Sequence, residues 1–259
     1  MNLGDKPELR WLPVDCLSVD NRYQRTLNTR AGRKLVAEIV ANFAWSAFQA
    51  ILATPAGAGW LIVDGQHRVE AARQLGIAEV PAVVVTSVSV VEQALAFVTA
   101  NKQRVAVNNY ALHHAAVVGG DPLATEVDRV CREAGVSVPR YPIPEINLVP
   151  GQTLALSTIT SLVKNDAALA TLTLRCLAEA YRRTKGALRA PTIAAAALVL
   201  ERRPKPDRPA SAGIITSFLS QRTSADLAIE ALKHRGKYGG TMKEAIAGML
   251  RRRVEAPRR

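Results

Sequence analysis

Leu61-Ile62-Val63-Asp64-Gly65-Gln66-His67-Arg68-Val69-Glu70-Ala71-Ala72 is the stretch on which the reading of the first half of the chain turns. Trp60 to Val63 is an apolar, β-branched run of strand length, Gly65 permits a tight turn, and from Gln66 the pattern becomes helical. A helix that begins directly after a strand directs backbone N–H groups, which have no intrahelical acceptor, out of its N-terminus. Such an end attracts anions. His67 and Arg68 fall in the first turn, where the helix dipole disfavours cations. A bound anion such as a phosphate would account for them, and a surface turn with incidental charges fits the spacing equally well.

Working outward, Phe48 to Thr54 is a short strand candidate and Pro55 to Gly59 a turn. Upstream, Leu35, Val36, Ile39, Val40 and Phe43 mark one helix face with Asn28 or Thr29 as N-cap, and Leu9 to Val19 is an extended segment containing Pro13. Downstream, Gly76 is a helix C-cap and Glu79 to Thr86 a β-branched strand. Ser89-Val90-Val91-Glu92 is a capping box that opens a helix running to about Arg104, with Val91, Leu95 and Val98 on its inner face. Asn101 and Arg104, three apart, reach one spot, although Arg104 also suits a helix C-terminus with no further role. Residues 1–108 are thus expected to form a compact α/β domain.

Beyond Asn108 the signals are helical: 109–118, 123–134, 154–164, 167–184, 192–202, 210–222, 225–235 and 240–254. The intervals carry Gly119-Gly120-Asp121-Pro122, a Pro139 to Pro150 stretch and Arg203-Pro204-Lys205-Pro206, and no fixed repeat is visible. Residues 109–259 are expected to be an all-α domain. Val130 to Ser137 has the turn pattern of a helix-turn-helix, but Pro139, Pro142 and Pro144 fall where the recognition helix would follow. Proline inside a helix costs about 3 kcal/mol, so sequence-specific readout by that motif is not expected.

The 259 residues carry 34 Lys plus Arg against 22 Asp plus Glu, a net charge of +12. Splitting at Asn108 assigns +2 to the first part and +10 to the second. The densest clusters are Arg182, Arg183, Lys185 and Arg189; Arg202, Arg203, Lys205 and Arg208; and Arg251, Arg252 and Arg253 with Arg258 and Arg259. Each alone fits a solvated helix end. Three within one half favour a polyanion, and DNA is the expected partner. No apolar run of about 18 residues is present, so a membrane span is not expected. The three cysteines, Cys16, Cys131 and Cys176, fit reduced thiols and exclude a disulfide scaffold. Together with an N-terminus that lacks a secretory pattern, they point to the cytoplasm. A homodimer is compatible with the sequence.

The order strand, Gly65-Gln66-His67-Arg68 turn, helix with Ala71-Ala72, strand, and helix ending in Asn101-Lys102-Gln103-Arg104 resembles the N-terminal domain of the ParB and sulfiredoxin superfamily over residues 9 to 108. Gly65, Arg68 and Ala71 match the ParB phosphate motif, while Gln66, His67 and Glu70 depart from it. Asn101 and Arg104 match a second motif whose glutamate is here Ala100, and Gln24-Arg25 echoes an upstream Gln-Pro-Arg element. The resemblance implies a fold of the ParB and sulfiredoxin type ahead of the helical domain. It also implies a CTP-binding site formed by Gly65, Gln66, His67, Arg68, Asn101, Arg104, Gln24 and Arg25, with magnesium near Asn101. The protein is then expected to serve partition or regulation on a plasmid or phage. Ala100 puts magnesium binding and hydrolysis in question. Sulfiredoxin has a catalytic cysteine where this chain has Gln66, which cannot act as the nucleophile. Catalytic residues are unassigned. An enzyme using the same site is the alternative, either a nucleotide-dependent kinase or a metal-dependent nuclease employing Asp64, Glu70 and His67. Elsewhere, His113 and His114 are adjacent and diverge on a helix, a poor metal pair, and Ile193 to Leu200 reads as core.

Overall fold

The computed structural model describes residues 5–20, 29–86 and 107–256. By its internal packing the chain divides into two compact units, Met1–Ala106 and Val107–Arg259.

The first unit is built on a five-stranded mixed sheet. Its strands are β1 (Glu8–Pro13), β2 (Leu17–Val19), β3 (Ile51–Ala56), β4 (Gly59–Asp64) and β5 (Glu79–Val84), in the order β1-β5-β3-β4-β2. The β1–β5 and β3–β4 pairs are antiparallel, and β3–β5 and β2–β4 are parallel. Leu9 to Val19 is therefore two strands on opposite edges. Pro13 ends β1, and a 3-10 turn at Val14–Cys16 sends the chain to β4. The expected turn at Pro55 to Gly59 is shorter, because Ala56 pairs with Gly59 and only Gly57 and Ala58 form the loop. Likewise the strand expected from Phe48 begins at Ile51. Helices α1 (Arg30–Ala41) and α2 (Gln66–Gln74) complete the described part. Thr29 caps α1 by accepting from the Gly32 amide at 2.9 Å. Leu12, Val14, Ile51, Ile62, Val69, Ala72 and Val80 form the core between sheet and helices.

The second unit is entirely helical in its regular structure: α3 (Asn109–Val118), α4 (Pro122–Glu133), α5 (Leu156–Asn165), α6 (Ala167–Ala180), α7 (Ala190–Glu201), α8 (Arg208–Ser220), α9 (Ser224–Tyr238) and α10 (Met242–Glu255), with short 3-10 turns between some of them. Its core gathers Val127, Ile159, Leu174, Leu177, Ile193, Leu200, Ile215, Leu219 and Leu250, all fully buried. The Ile193 to Leu200 run lies in α7, which buries Ile193, Ala195, Ala196, Ala197, Val199 and Leu200. No helix follows the Gly135 turn directly. The chain runs from Ser137 to Ala155 without an α-helix, so the turn has no recognition helix after it.

Asp166 joins two of these helices. Its carboxylate accepts from the Leu169 amide at 2.9 Å as N-cap of α6 and pairs with Arg208 at the start of α8 at 3.3 Å. The Leu169 bond, followed by Arg208, holds its pKa below the ordinary value of 3.8. A carboxylate depressed in the folded state stabilises the fold above its unfolded pKa, and that contribution is lost as pH falls through the folded pKa. Asp166→Ala should cost about 1 kcal/mol at pH 7, mostly from the cap. In urea titrations the gap to the parent should shrink below about pH 4; a gap undiminished at pH 3 would show that the carboxylate charge is not involved.

Candidate functional site

The β4–α2 turn is shaped by a bulge and a glycine. Leu52 pairs with Asp64 but Ala53 pairs with Ile62, so Val63 is an extra residue on β4 just before the turn. Gly65 then takes φ 103°, a left-handed value that L side chains rarely adopt. A Cβ at Gly65 would lie 2.8 Å from Ile51 Cγ2 and 3.0 Å from an Arg68 terminal nitrogen. Only glycine allows the helix to begin this close to β3.

Arg68 binds the turn to its surroundings. Its guanidinium donates to Asp64 Oδ2 at 3.1 Å, to the Ala50 carbonyl at 2.9 Å and to the Gln49 carbonyl. Its side chain is only 16% exposed and that of Asp64 17%. The guanidinium thus fastens the end of β4 to the segment entering β3, and the Asp64 charge balances it in a half-buried setting.

Gly65 offers no side-chain acceptor to the first amides of α2, and no acidic residue occupies its first turn. The starts of α5, α7 and α8 are likewise without a side-chain cap, whereas Thr29, Asn108, Asp121, Asp166, Thr223 and Thr241 cap α1, α3, α4, α6, α9 and α10. His67 is half-buried in that turn. Burial lowers its pKa below the usual 6.5, with Asp64 pulling the other way, so at neutral pH the imidazole is mainly neutral and able to donate one hydrogen bond. Glu70 is engaged with Arg73 at 3.0 Å and with the Gln74 amide at 3.0 Å. No three His, Cys, Asp or Glu side chains converge as a metal set among the described residues.

The structure therefore brings Gly65, Gln66, His67 and Arg68 together at one turn. Gln24, Arg25, Asn101 and Arg104, as well as the Ser89 to Glu92 capping box, lie outside the described residues. Among the basic residues of the second unit, Arg182 is exposed and 3.7 Å from Glu179, and Arg183 and Lys185 are exposed beside it. Arg202 is exposed, and Arg203 lies 4.0 Å from Asp207. On α10, Arg251 is half-buried, Arg252 reaches His234 Nε2 at 3.2 Å, and Arg253 lies over the Phe218 ring at 5.3 Å.

No protein-family profile matches the sequence, and no curated protein is similar to it. Two crystal structures of C-terminally truncated ParB from Caulobacter crescentus align over 94% of this chain. The complex with CTP-γ-S gives 16% identity and a TM-score of 0.34 over 98% of its chain, and the complex with the centromeric parS site gives 13% and 0.27 over 99%. Likeness at that level decides nothing about this chain. No helix of the described residues is long and apolar enough to cross a membrane.

Two features escape sequence reasoning. One is the Asp64–Arg68 pair, whose four-residue spacing was its only signal. The other is a cleft of about 430 Å³ inside the second unit, lined by His113, His114, Asp128, Cys131 and Arg132 together with residues 135–138 and 150–151. His114 Nε2 donates to the Val138 carbonyl at 3.2 Å, which assigns its proton. Burial, then His114, keeps the His113 pKa low, and burial pushes the Cys131 thiol up to about 12, so this cysteine is not a nucleophile. The two rings meet edge to face with centroids 5.5 Å apart, closer than adjacent positions on a helix led us to expect, and both line one space.

Proposed function

We propose that the first unit is a nucleotide-binding domain of the ParB type, taking CTP at the Gly65 turn with magnesium beside Asn101, and that the basic helical unit grips DNA phosphates. The protein would then serve partition or regulation on a plasmid or phage. The observation that carries the reading is the start of α2, where an uncapped helix N-terminus, a left-handed glycine and a neutral histidine meet behind a buried strand. That set suits a phosphate oxygen better than a cation. Within the turn His67 would donate to the phosphate, and Arg68, neutralised by Asp64, would hold the loop in shape. Asp64 and Glu70 are already engaged with Arg68 and Arg73, an arrangement that lends no support to a metal-dependent nuclease.

The test is titration of CTP, ATP and GTP, each with and without magnesium, against the parent, His67→Ala and Arg68→Ala. The parent should bind CTP saturably, and His67→Ala should weaken it about tenfold for a lost phosphate hydrogen bond while its thermal melt stays near the parent's. Arg68→Ala should lose binding and lower the melting temperature together, because its guanidinium also fastens β3. Absence of saturable binding by any triphosphate would eliminate both the CTP reading and a kinase.

A further inference from the structure

The outer edge of β1 presents its own kind of partner. Glu8 to Pro13 pair with Val84 to Glu79 in antiparallel register, and Val14 N–H donates to the Ala78 carbonyl at 2.9 Å. Hydrogen-bonded pairs alternate along such a ladder. Even-numbered residues of β1 therefore bond β5, while Leu9, Trp11 and Pro13 direct their backbone groups away from the sheet. The prolines agree: Pro81 sits opposite Trp11, where no N–H is required, and Pro13 has none to turn outward. Leu9 is 81% and Trp11 58% exposed, and among the described residues no strand pairs with this edge.

The side chains make the edge self-complementary. Leu9 and Trp11 share one face, and Glu8 and Arg10, 3.0 Å apart, share the other. When a second copy is laid antiparallel about Leu9, Glu8 of one copy stands opposite Arg10 of the other, twice by symmetry. Leu9 meets Leu9, and Trp11 meets Pro7, keeping the apolar face continuous. The two Leu9 amides bond each other's carbonyls and each Trp11 N–H reaches the opposite Pro7 carbonyl, so all four outward donors are satisfied. The charge pairs occupy the non-hydrogen-bonded positions, where facing side chains come closest. Other registers fail on charge: centring on Arg10 opposes arginines, centring on Glu8 opposes glutamates and sets Arg10 against Lys6, and centring on Trp11 leaves both charges unmatched.

We propose that the free edge of β1 is a self-complementary pairing surface through which two copies of the chain join antiparallel about Leu9. This is independent of nucleotide or DNA binding. A strand pair alone is small, and the exposed aromatic group of Trp11 and Trp45, with ring centroids 5.5 Å apart, extends the apolar contact beside it.

Sedimentation velocity of the whole chain across a concentration series tests the proposal. The parent should show a monomer–dimer equilibrium. Arg10→Glu and Glu8→Arg should each raise the dissociation constant roughly tenfold or more, and the double exchange Glu8→Arg with Arg10→Glu should return it to within about threefold. Leu9→Pro should abolish the dimer with little change in circular dichroism, because the amide it removes serves no bond within the sheet. A chain that stays monomeric, or a dimer indifferent to these substitutions, overturns the proposal. Equal weakening in the double exchange also overturns it, since a charge-matched register must tolerate the swap.

Discussion

Gly65→Ala should destabilise the first unit by about 3 kcal/mol, whereas Gly57→Ala should cost only about 1 kcal/mol. Both glycines have positive φ, 103° at Gly65 and 57° at Gly57, so each substitution incurs a backbone penalty. They differ in their surroundings. A Cβ at Gly57 meets nothing within 4 Å, while at Gly65 it would stand 2.8 Å from Ile51 Cγ2. Ile51 is completely buried at the start of β3 and cannot retreat without opening the core. The extra cost therefore measures the closeness of the turn to β3, the same closeness that lets Arg68 reach the Gln49 and Ala50 carbonyls. Chemical denaturation followed by tryptophan fluorescence would read it, since Trp11, Trp45 and Trp60 all lie in this unit. Equal losses at the two glycines would mean that the close approach is not present in solution. If Gly65→Ala remains folded, it should also lose nucleotide binding, because the first amides of α2 would be displaced.

The contrast between Gly65 and its partners shows what a sequence can and cannot carry. A buried run followed by glycine and a helical pattern is a local signal, and the β4–α2 join appears where that signal lies. The helices of the second unit were similarly legible from their helical pattern, and side-chain caps at Asn108, Asp121, Asp166, Thr223 and Thr241 fix the starts of five of the eight described there. In Leu9 to Val19 the only local mark was Pro13, which ends β1 but says nothing of where the two halves go. The division into β1 and β2 is imposed by pairing with β5 on one edge and β4 on the other, and residues so far apart leave no trace in the local pattern. The acceptors of Arg68 are backbone carbonyls, which every residue possesses, so nothing in Gln49-Ala50 could have indicated them. His113 and His114 are adjacent on a helix, where divergence was expected, yet their rings meet edge to face. They line one cleft, because α4 and two loops rise around both.

Reversing Arg183 and Arg253 together to glutamate should weaken DNA binding by tenfold or more near 0.1 M salt, and much more than reversing Arg202 and Lys205. Arg253 of one basic cluster and Arg222 share the Phe218 ring, and Arg222 in turn lies near the residue that precedes the 182–189 cluster. Tyr181, immediately before Arg182, is buried and lies close enough to Arg222 for that charge to act on its hydroxyl. Arg222 stacks on the Phe218 ring at 3.8 Å, and Arg253 reaches the same ring at 5.3 Å. Glu230 answers Arg222 and Glu179 answers Arg182, leaving Arg183 and Arg253 without an acidic partner among the described residues. In the cluster at 202–208, Arg203 faces Asp207 and Arg208 is taken up by Asp166 and by the Arg203 and Glu201 carbonyls, so Arg202 and Lys205 are its exposed cations and neither shares the Phe218 ring among the described residues. If the Phe218 face follows a phosphate backbone, the double reversal should also reduce the slope of log affinity against log salt by about two, roughly one for each lost contact. The Arg202 and Lys205 pair should leave the slope nearly unchanged. Equal losses from the two pairs would mean that DNA is held by diffuse attraction to the whole basic unit, with no face of its own.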